Sequence, residues 1–260
     1  MAEKFAIVTG ASTGIGYHLA ACAARDGYDL LIVADEPAIH TAASELSVEG
    51  AQVQAVEADL STLEGVDRLL AAADGRAIDV LCANAGKSKG GAFLNQSVED
   101  WRRSVDTNVT GTVYLLQRVL SAMVRRGEGK VLVTGSIVGF IPGPFNAIYN
   151  ATKAFIDNFT EALRNELKDE KGVTLTTLMP GATETEFFAR ADMLDTHVGQ
   201  SKKDDPAEVA RKGWDAMKAG EGHITTGLKN KLQVAGAGVV PQSVLAEAHR
   251  QIAEPGSADR

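Results

Sequence analysis

Short β-branched apolar runs alternate along this 260-residue chain with longer stretches of helical spacing, and that alternation limits the possible folds more than any other feature. The strand candidates are 5–9, 30–34, 53–57, 80–83, 130–134, 174–179 and 222–225, and most are almost continuously apolar. A strand without a polar face is buried on both sides, as in a parallel sheet covered by crossover helices. Helical stretches at 14–26, 39–49, 63–73, 98–126 and 149–168 supply those crossovers. The expected fold is therefore α/β: a doubly wound seven-stranded parallel sheet, Rossmann-like, in one domain over residues 1–260. Residues 182–205 break the rhythm with a long polar stretch, which reads as a substrate lid. A helix should resume at Pro206 with Asp205 as its cap, and Pro241 should open another, running through Ile252. Residues 254–260 read as a fraying tail.

Composition narrows the function classes. A formal charge of −8 argues against nucleic acid or an anionic membrane as a partner. No apolar run is long enough to span a bilayer. The Met1-Ala2-Glu3-Lys4 start lacks the pattern of a signal peptide, so the expected location is the cytoplasm. Cys22 and Cys82 have no paired spacing and read as reduced thiols. The scattered His18, His40, His197, His223 and His249 give no metal-binding cluster, and no metal is expected.

The first strand leads through Thr9-Gly10-Ala11-Ser12-Thr13-Gly14-Ile15-Gly16 into a helix. This context converges backbone N–H groups and the positive end of a helix dipole on one point, which suits a pyrophosphate. The second strand ends at Asp35, nineteen residues after Gly16, near the spacing at which a carboxylate reaches the adenosine ribose hydroxyls. Glu36 follows, and neither Ser12 nor Thr13 supplies a cation to neutralise a 2′-phosphate. The expected cofactor is NAD(H), with NADP(H) disfavoured.

Tyr149 and Lys153 lie four residues apart, on one face of a helix. A phenol has a pKa of about 10, and a neighbouring cation would favour the phenolate. Such a pair alone more often describes a solvated helix surface, but several other motifs stand in order around it. Over nearly its whole length the chain resembles the short-chain dehydrogenase/reductase family. Thr9 to Gly16 match TGxxxGIG, Asp59 with Leu60 the adenine-side position, and Asn84-Ala85-Gly86 the NAG element. Asn108 matches the active-site Asn, Ser136 the Ser thirteen residues before the Tyr, and Tyr149 and Lys153 YxxxK. Pro180-Gly181 follow the sixth strand, Thr185 falls where the family binds the nicotinamide carboxamide, and Thr183 occupies a position commonly Val or Ile. Two departures are Ala83 before Asn84, and Gly135-Ser136 in place of Ser-Ser.

The resemblance implies catalytic roles for Asn108, Ser136, Tyr149 and Lys153. It implies cofactor contacts from Gly10, Ser12, Thr13, Gly14, Ile15, Gly16, Asp35, Asp59, Leu60, Asn84, Ala85, Gly86, Tyr149, Lys153, Pro180, Gly181, Thr183 and Thr185. In reduction the nicotinamide would give hydride to a carbonyl carbon while Tyr149 protonates the oxygen. Ser136 would bond that oxygen, Lys153 would lie between the phenol and the nicotinamide ribose, and Asn108 would hold a water connecting Lys153 to solvent. Ile137, Phe140, Phe145, Phe187, Phe188 and Met193 are the candidates for a partly apolar substrate pocket. The family also implies a homodimer or homotetramer joined through the helices near 99–126 and 149–168. The alternatives are a non-turnover NAD(H)-binding redox sensor, which has no need of a proton shuttle, and an epimerase or dehydratase, for whose extra substrate domain the chain is short.

Overall fold

The computed structural model describes residues 4–48 and 50–259. Met1–Glu3, Glu49 and Arg260, and with them the last residue of the 39–49 helix expectation, lie outside the described residues. Seven parallel strands form one sheet: β1 (Phe5–Thr9), β2 (Asp29–Ala34), β3 (Val53–Glu57), β4 (Val80–Ala83), β5 (Gly129–Thr134), β6 (Val173–Met179) and β7 (His223–Thr225), ordered β3-β2-β1-β4-β5-β6-β7. All seven strand expectations hold to within a residue at each end.

The near-continuous apolar strands bury both faces. Along β1, Ala6 and Val8 join a core that includes Leu30, Ile32, Leu132 and Trp214. Phe5 and Ile7 join the opposite core, with Leu31, Val33, Leu116 and Val131. Helices α1 (Gly14–Arg25) and α2 (Ala38–Ser47) cover the first face, and α3 (Leu63–Ala72) contributes to the second. The single helix expected over 98–126 is instead three pieces: α4 (Val98–Val105), a π turn (Asp106–Gly111) and α5 (Thr112–Arg126). Gly111 sits where a Cβ would lie 1.9 Å from the Leu60 carbonyl oxygen, so the loop after β3 presses directly against this irregular turn. Helix α6 (Ala147–Glu166) carries the Tyr149 and Lys153 pair.

The 182–205 segment is more structured than its polar sequence suggests. It contains α7 (Phe187–Arg190) and α8 (His197–Gln200), and Thr183 pairs with Asp204 as an isolated bridge. Phe188, Ala191 and Met193 bury themselves in a separate small core. Helix α9 (Pro206–Ala219) begins as expected, with Asp205 Oδ1 accepting from the Ala207 amide at 2.9 Å. It is followed by α10 (Leu228–Ala237) and α11 (Gln242–Ala253), whose Ala253 completes the small core. The tail expected to fray docks on this unit: the Ala258 amide bonds the Asp195 carbonyl at 3.1 Å, and Ser257 Oγ accepts from the His197 amide at 2.9 Å. Its anchors are polar contacts with a distant segment, which periodicity does not register.

The first crossover runs from β1 to β2 on one side, while β4 lies on the other. The carboxyl ends of β1 and β4 therefore border the crevice at which an open parallel sheet receives a ligand.

Candidate active site

At that crevice three glycines of the first turn serve different purposes. Gly10 has φ +63°, and a Cβ there would lie 2.9 Å from Ala85 Cα. Gly14 has φ +58° and abuts the Thr185 methyl, where a Cβ would approach to 2.7 Å. Gly16 is buried, with room for no side chain between Gly10 O and Asn84 Nδ2, so it closes helix α1 onto the sheet and does not line the cavity. Thr13 caps α1 without a side-chain hydrogen bond, and the first turn holds no acidic residue. The leading amides thus face the crevice without an internal partner, the arrangement that binds an anion.

The β1 and β4 turns are tied together. Thr9 Oγ1 accepts from the amides of Asn84 and Ala85, both at 2.9 Å. Asn84 Nδ2 donates to Thr9 O at 3.1 Å, and its Oδ1 accepts from Thr134 Oγ1 at 3.0 Å. A single cavity of about 730 Å³ runs across these turns, lined by every cofactor residue expected from the sequence except Gly16. Its volume and the glycine backbone along it leave room for a dinucleotide-sized ligand.

One expectation needs correction. The sequence around the glycine turn offers no cation near Asp35, yet Lys87 Nζ stands 2.7 Å and Arg103 Nη2 2.8 Å from its Oδ2. Burial alone would raise the Asp35 pKa, but the Lys87 hydrogen bond and the two positive charges outweigh it and hold the carboxyl below its ordinary range. Arg103 also reaches Asp59 at 3.5 Å. Glu36 accepts from Ser12 Oγ and pairs with Arg190 Nη1 of α7 at 2.9 Å. The cations come from residues 87, 103 and 190, and the glycine turn contributes none of them.

At the other end of the cavity, Ser136, Tyr149 and Lys153 come together. Lys153 is buried; its Nζ donates to the Thr134 carbonyl at 2.6 Å and lies 5.7 Å from the centroid of the Tyr149 ring. Burial lowers the Lys153 pKa, and the Asp157 charge opposes that shift. The phenol moves the other way from the expectation for a lysine-assisted tyrosine. Burial raises the Tyr149 pKa strongly, Asp157 adds to the rise, and the Ser136 hydroxyl only partly counters it. Desolvating a phenolate costs more than these neighbours return. Ser136 is oriented by the loop after β5, its Oγ donating to Pro180 O at 3.4 Å and accepting from the Val138 amide at 3.3 Å.

Asn108 lies in the π turn, behind the cavity wall. Its Nδ2 donates to Lys87 O at 2.8 Å and Thr152 Oγ1 at 2.9 Å, and its Oδ1 accepts from the Lys87 amide at 2.7 Å. Both amide hydrogens are therefore taken by protein, and Asn108 holds the Lys87 backbone against α6. A water at this side chain would donate to the second lone pair of Oδ1, since both amide hydrogens are engaged. Thr183 Oγ1 donates to Gly181 O at 3.0 Å, and Thr185 Oγ1 accepts from the Phe187 amide at 3.2 Å.

Of the expected pocket residues, Ile137, Phe187, Phe188 and Met193 line the cavity, with the Phe187 ring centroid 5.0 Å from that of Tyr149. Phe140 and Phe145 do not: Phe140 faces solvent, and Phe145 lies under the Arg250 guanidinium at 5.0 Å. Val138, Ile141, Val198, His249 and Ile252 line the wall as well. The sequence reading missed Lys87, although it directly follows the NAG element. It missed Asp157 too, although that residue continues the four-residue spacing of Tyr149 and Lys153. Arg103, Arg190 and His249 carry no local signal. Among the described residues no group of His, Cys, Asp and Glu could hold a metal, and no helix is long and apolar enough to cross a membrane.

The profile of the family described as short chain dehydrogenase matches residues 4–194. An uncharacterized oxidoreductase of Staphylococcus epidermidis is 31% identical over 211 residues, 80% of this chain and 88% of that protein. Among solved structures, a short-chain dehydrogenase from Sphingobium yanoikuyae in complex with NADPH is 30% identical with a TM-score of 0.80, covering 92% of this chain and 97% of that one. The bulky-bulky ketone specific alcohol dehydrogenase from Comamonas testosteroni is 26% identical with a TM-score of 0.77, covering 96% and 99%. The family match over residues 4–194 and the likeness to these relatives have one explanation: the chain belongs to the short-chain dehydrogenase/reductase family and is an oxidoreductase acting on CH–OH and C=O groups.

Proposed function

We propose that the protein interconverts a carbonyl and an alcohol on a small, partly apolar substrate, with Tyr149 as the acid–base group and NAD(H) preferred over NADP(H). The observation that carries this reading is the single cavity that joins Ser136, Tyr149 and Lys153 to the glycine turn and Asp35. Gly10 and Ser12 to Ile15 would hold the pyrophosphate, Asp35 the adenosine ribose, and Asp59 and Leu60 the adenine. Asn84 to Gly86, Pro180, Gly181, Thr183 and Thr185 would hold the nicotinamide half, and Gly16 acts through packing. The bound cofactor supplies or accepts the hydride.

Tyr149 gives its proton to the carbonyl oxygen in reduction and recovers it in oxidation. The phenol is protonated at neutral pH and so is the donor form in reduction, while the rise that burial gives its pKa makes it a weaker acid. Ser136 donates a hydrogen bond to the same oxygen. Lys153, with one N–H on Thr134, has two more to offer to ribose hydroxyls. Asn108 anchors the Lys87 backbone and so the wall that carries Lys87 toward Asp35. Phe187, Phe188, Ile141 and Val198 favour apolar groups around the carbonyl, a reading in keeping with the bulky-ketone specificity named for the Comamonas relative. The 182–205 segment would close over the substrate as a lid of a single folding unit. The outer face of α6, where exposed Phe155 stacks on Phe159 at 5.7 Å, supports the homo-oligomer reading.

The test is a screen of ketones and secondary alcohols with both cofactors, repeated with Tyr149→Phe. Turnover by the native protein that vanishes in this variant while cofactor binding persists is the expected result. Undiminished turnover by the variant would overturn the assignment of the acid.

A further inference from the structure

Asp157 has no part in the reaction outlined above, yet the structure makes unusual provision for it. Tyr149, Lys153 and Asp157 follow at four-residue intervals on one face of α6. Both Asp157 carboxylate oxygens are shielded from solvent, and neither has a partner in hydrogen-bond geometry. An ionised carboxylate in that setting is costly unless a charge compensates it.

The neighbouring loop has been hollowed out to receive it. A Cβ at Gly135 would lie 1.8 Å from Asp157 Oδ1, and one at Gly139 would lie 2.4 Å from Oδ2. Gly135 is also one of the two positions at which the sequence departs from the family pattern, where Ser is frequent. The serine that this loop carries, Ser136, reaches the reacting oxygen in the mechanism above, and its backbone amide bears on the Asp157 carboxylate.

We propose that Asp157 is a positioning residue for the Tyr149 and Lys153 pair: a buried counter-charge, seated in the Gly135/Gly139 cradle, that holds Lys153 in its ammonium form. The inference rests on the assignment of Tyr149 as the acid. Burial pushes the Asp157 carboxyl above the ordinary carboxylate range, and among the described residues Lys153 is the charged side chain that opposes this rise, with the Ser136 amide adding to that opposition. The 137–140 turn and β6 have no charged residue; Thr177 Oγ1 donates to Thr160 Oγ1 at 2.8 Å, and Thr160 Oγ1 in turn donates to the Ile156 carbonyl at 2.8 Å. On α4 and the π turn, Arg103 is engaged with Asp35 and Arg102 with Asp106, while Glu99 and Asp100 lie in the first turn of α4. Helix α10, which packs on the 137–140 turn, carries Lys229 and Lys231.

A negative charge at residue 157 favours the protonated forms of both Lys153 and Tyr149. Its removal must move both titrations to lower pH. The experiment compares the pH dependence of kcat for ketone reduction in the native enzyme, Asp157→Asn and Asp157→Ala, with cofactor saturating and cofactor Kd measured in parallel. The falling limb should move down by about one pH unit in both variants, so that kcat at high pH drops about tenfold relative to kcat at low pH while Kd holds. Profiles that superimpose on the native one would overturn the proposal, as would loss of cofactor binding in both variants, which would make Asp157 a structural residue only. Turnover surviving in Tyr149→Phe would instead count against the acid assignment and is read separately.

Discussion

Replacing Asp35 with alanine should turn the cofactor preference toward NADPH. In the native site a 2′-phosphate beside the ribose would face the Asp35 carboxylate, and Lys87 and Arg103 would already be committed to that carboxylate at 2.7 and 2.8 Å. With a phosphate charge of about −1.5, a separation of about 5 Å and an effective dielectric of about 40 for this partly exposed position, the repulsion is about 2.5 kcal/mol. The Asp35→Ala change removes it and leaves two cations free. Lys87 and Arg103 are 35% and 50% exposed, so each adds no more than about 1 kcal/mol toward the phosphate. NADH loses the carboxylate's bond to its ribose hydroxyls, a charge-assisted bond of about 1.5–3 kcal/mol. The ratio of kcat/KM for NADPH to that for NADH should therefore rise at least about 100-fold. Initial rates with each cofactor at a fixed ketone concentration measure it, and the gain should shrink as salt is raised. A ratio unchanged by the substitution, or one that moves toward NADH, would show that Asp35 does not meet the adenosine ribose.

Other substitutions test the rest of the site. Tyr149→Phe should lower kcat by about 10³-fold with little change in cofactor Kd, as read by single-turnover hydride transfer and by titration of the bound nucleotide. Gly16→Ala would place a Cβ 2.1 Å from Gly10 O and 2.5 Å from Asn84 Nδ2, both held by the β1 and β4 turns; a loss of about 2–3 kcal/mol in denaturant unfolding is expected, together with weaker cofactor binding. His249 Nδ1 lies 3.1 Å from the Pro144 carbonyl oxygen, and burial lowers its pKa below 6.5, with that hydrogen bond partly opposing. The unfolded chain therefore binds a proton that the native protein refuses, so stability falls as the pH drops from 6.5 toward the native value. His249→Asn should flatten that part of the stability–pH curve, and an unchanged slope would remove His249 as its source.

The strands and the glycine turn were legible because their information is local. A doubly buried strand needs consecutive apolar residues, and a strand-to-helix turn at a close backbone contact needs glycine. The π turn was not legible, since no local residue pattern within 98–126 marks it, and the close contact it makes at Gly111, with the Leu60 carbonyl, comes from a distant loop. The same limit explains the two misplaced phenylalanines. Phe140 and Phe145 neighbour Ser136 and Tyr149 in the chain, but the short 137–140 turn directs Phe140 to solvent, and Phe145 packs beneath Arg250.

By itself the sequence determined the sheet, the glycine floor of the cavity and the helical face that carries Tyr149, Lys153 and Asp157, because each follows from spacing along one element. Tertiary structure alone decided the charges around those residues. Asp35 meets Lys87 and Arg103 because β1 lies between β2 and β4, so that the loop after β2, the loop after β4 and α4 end at one crevice. Asp157 becomes a buried counter-charge because the loop after β5 closes on α6 with glycine at 135 and 139. Proton affinity and cofactor choice depend on burial and on charges a few ångströms away, and those distances exist only once strands far apart in the chain lie side by side.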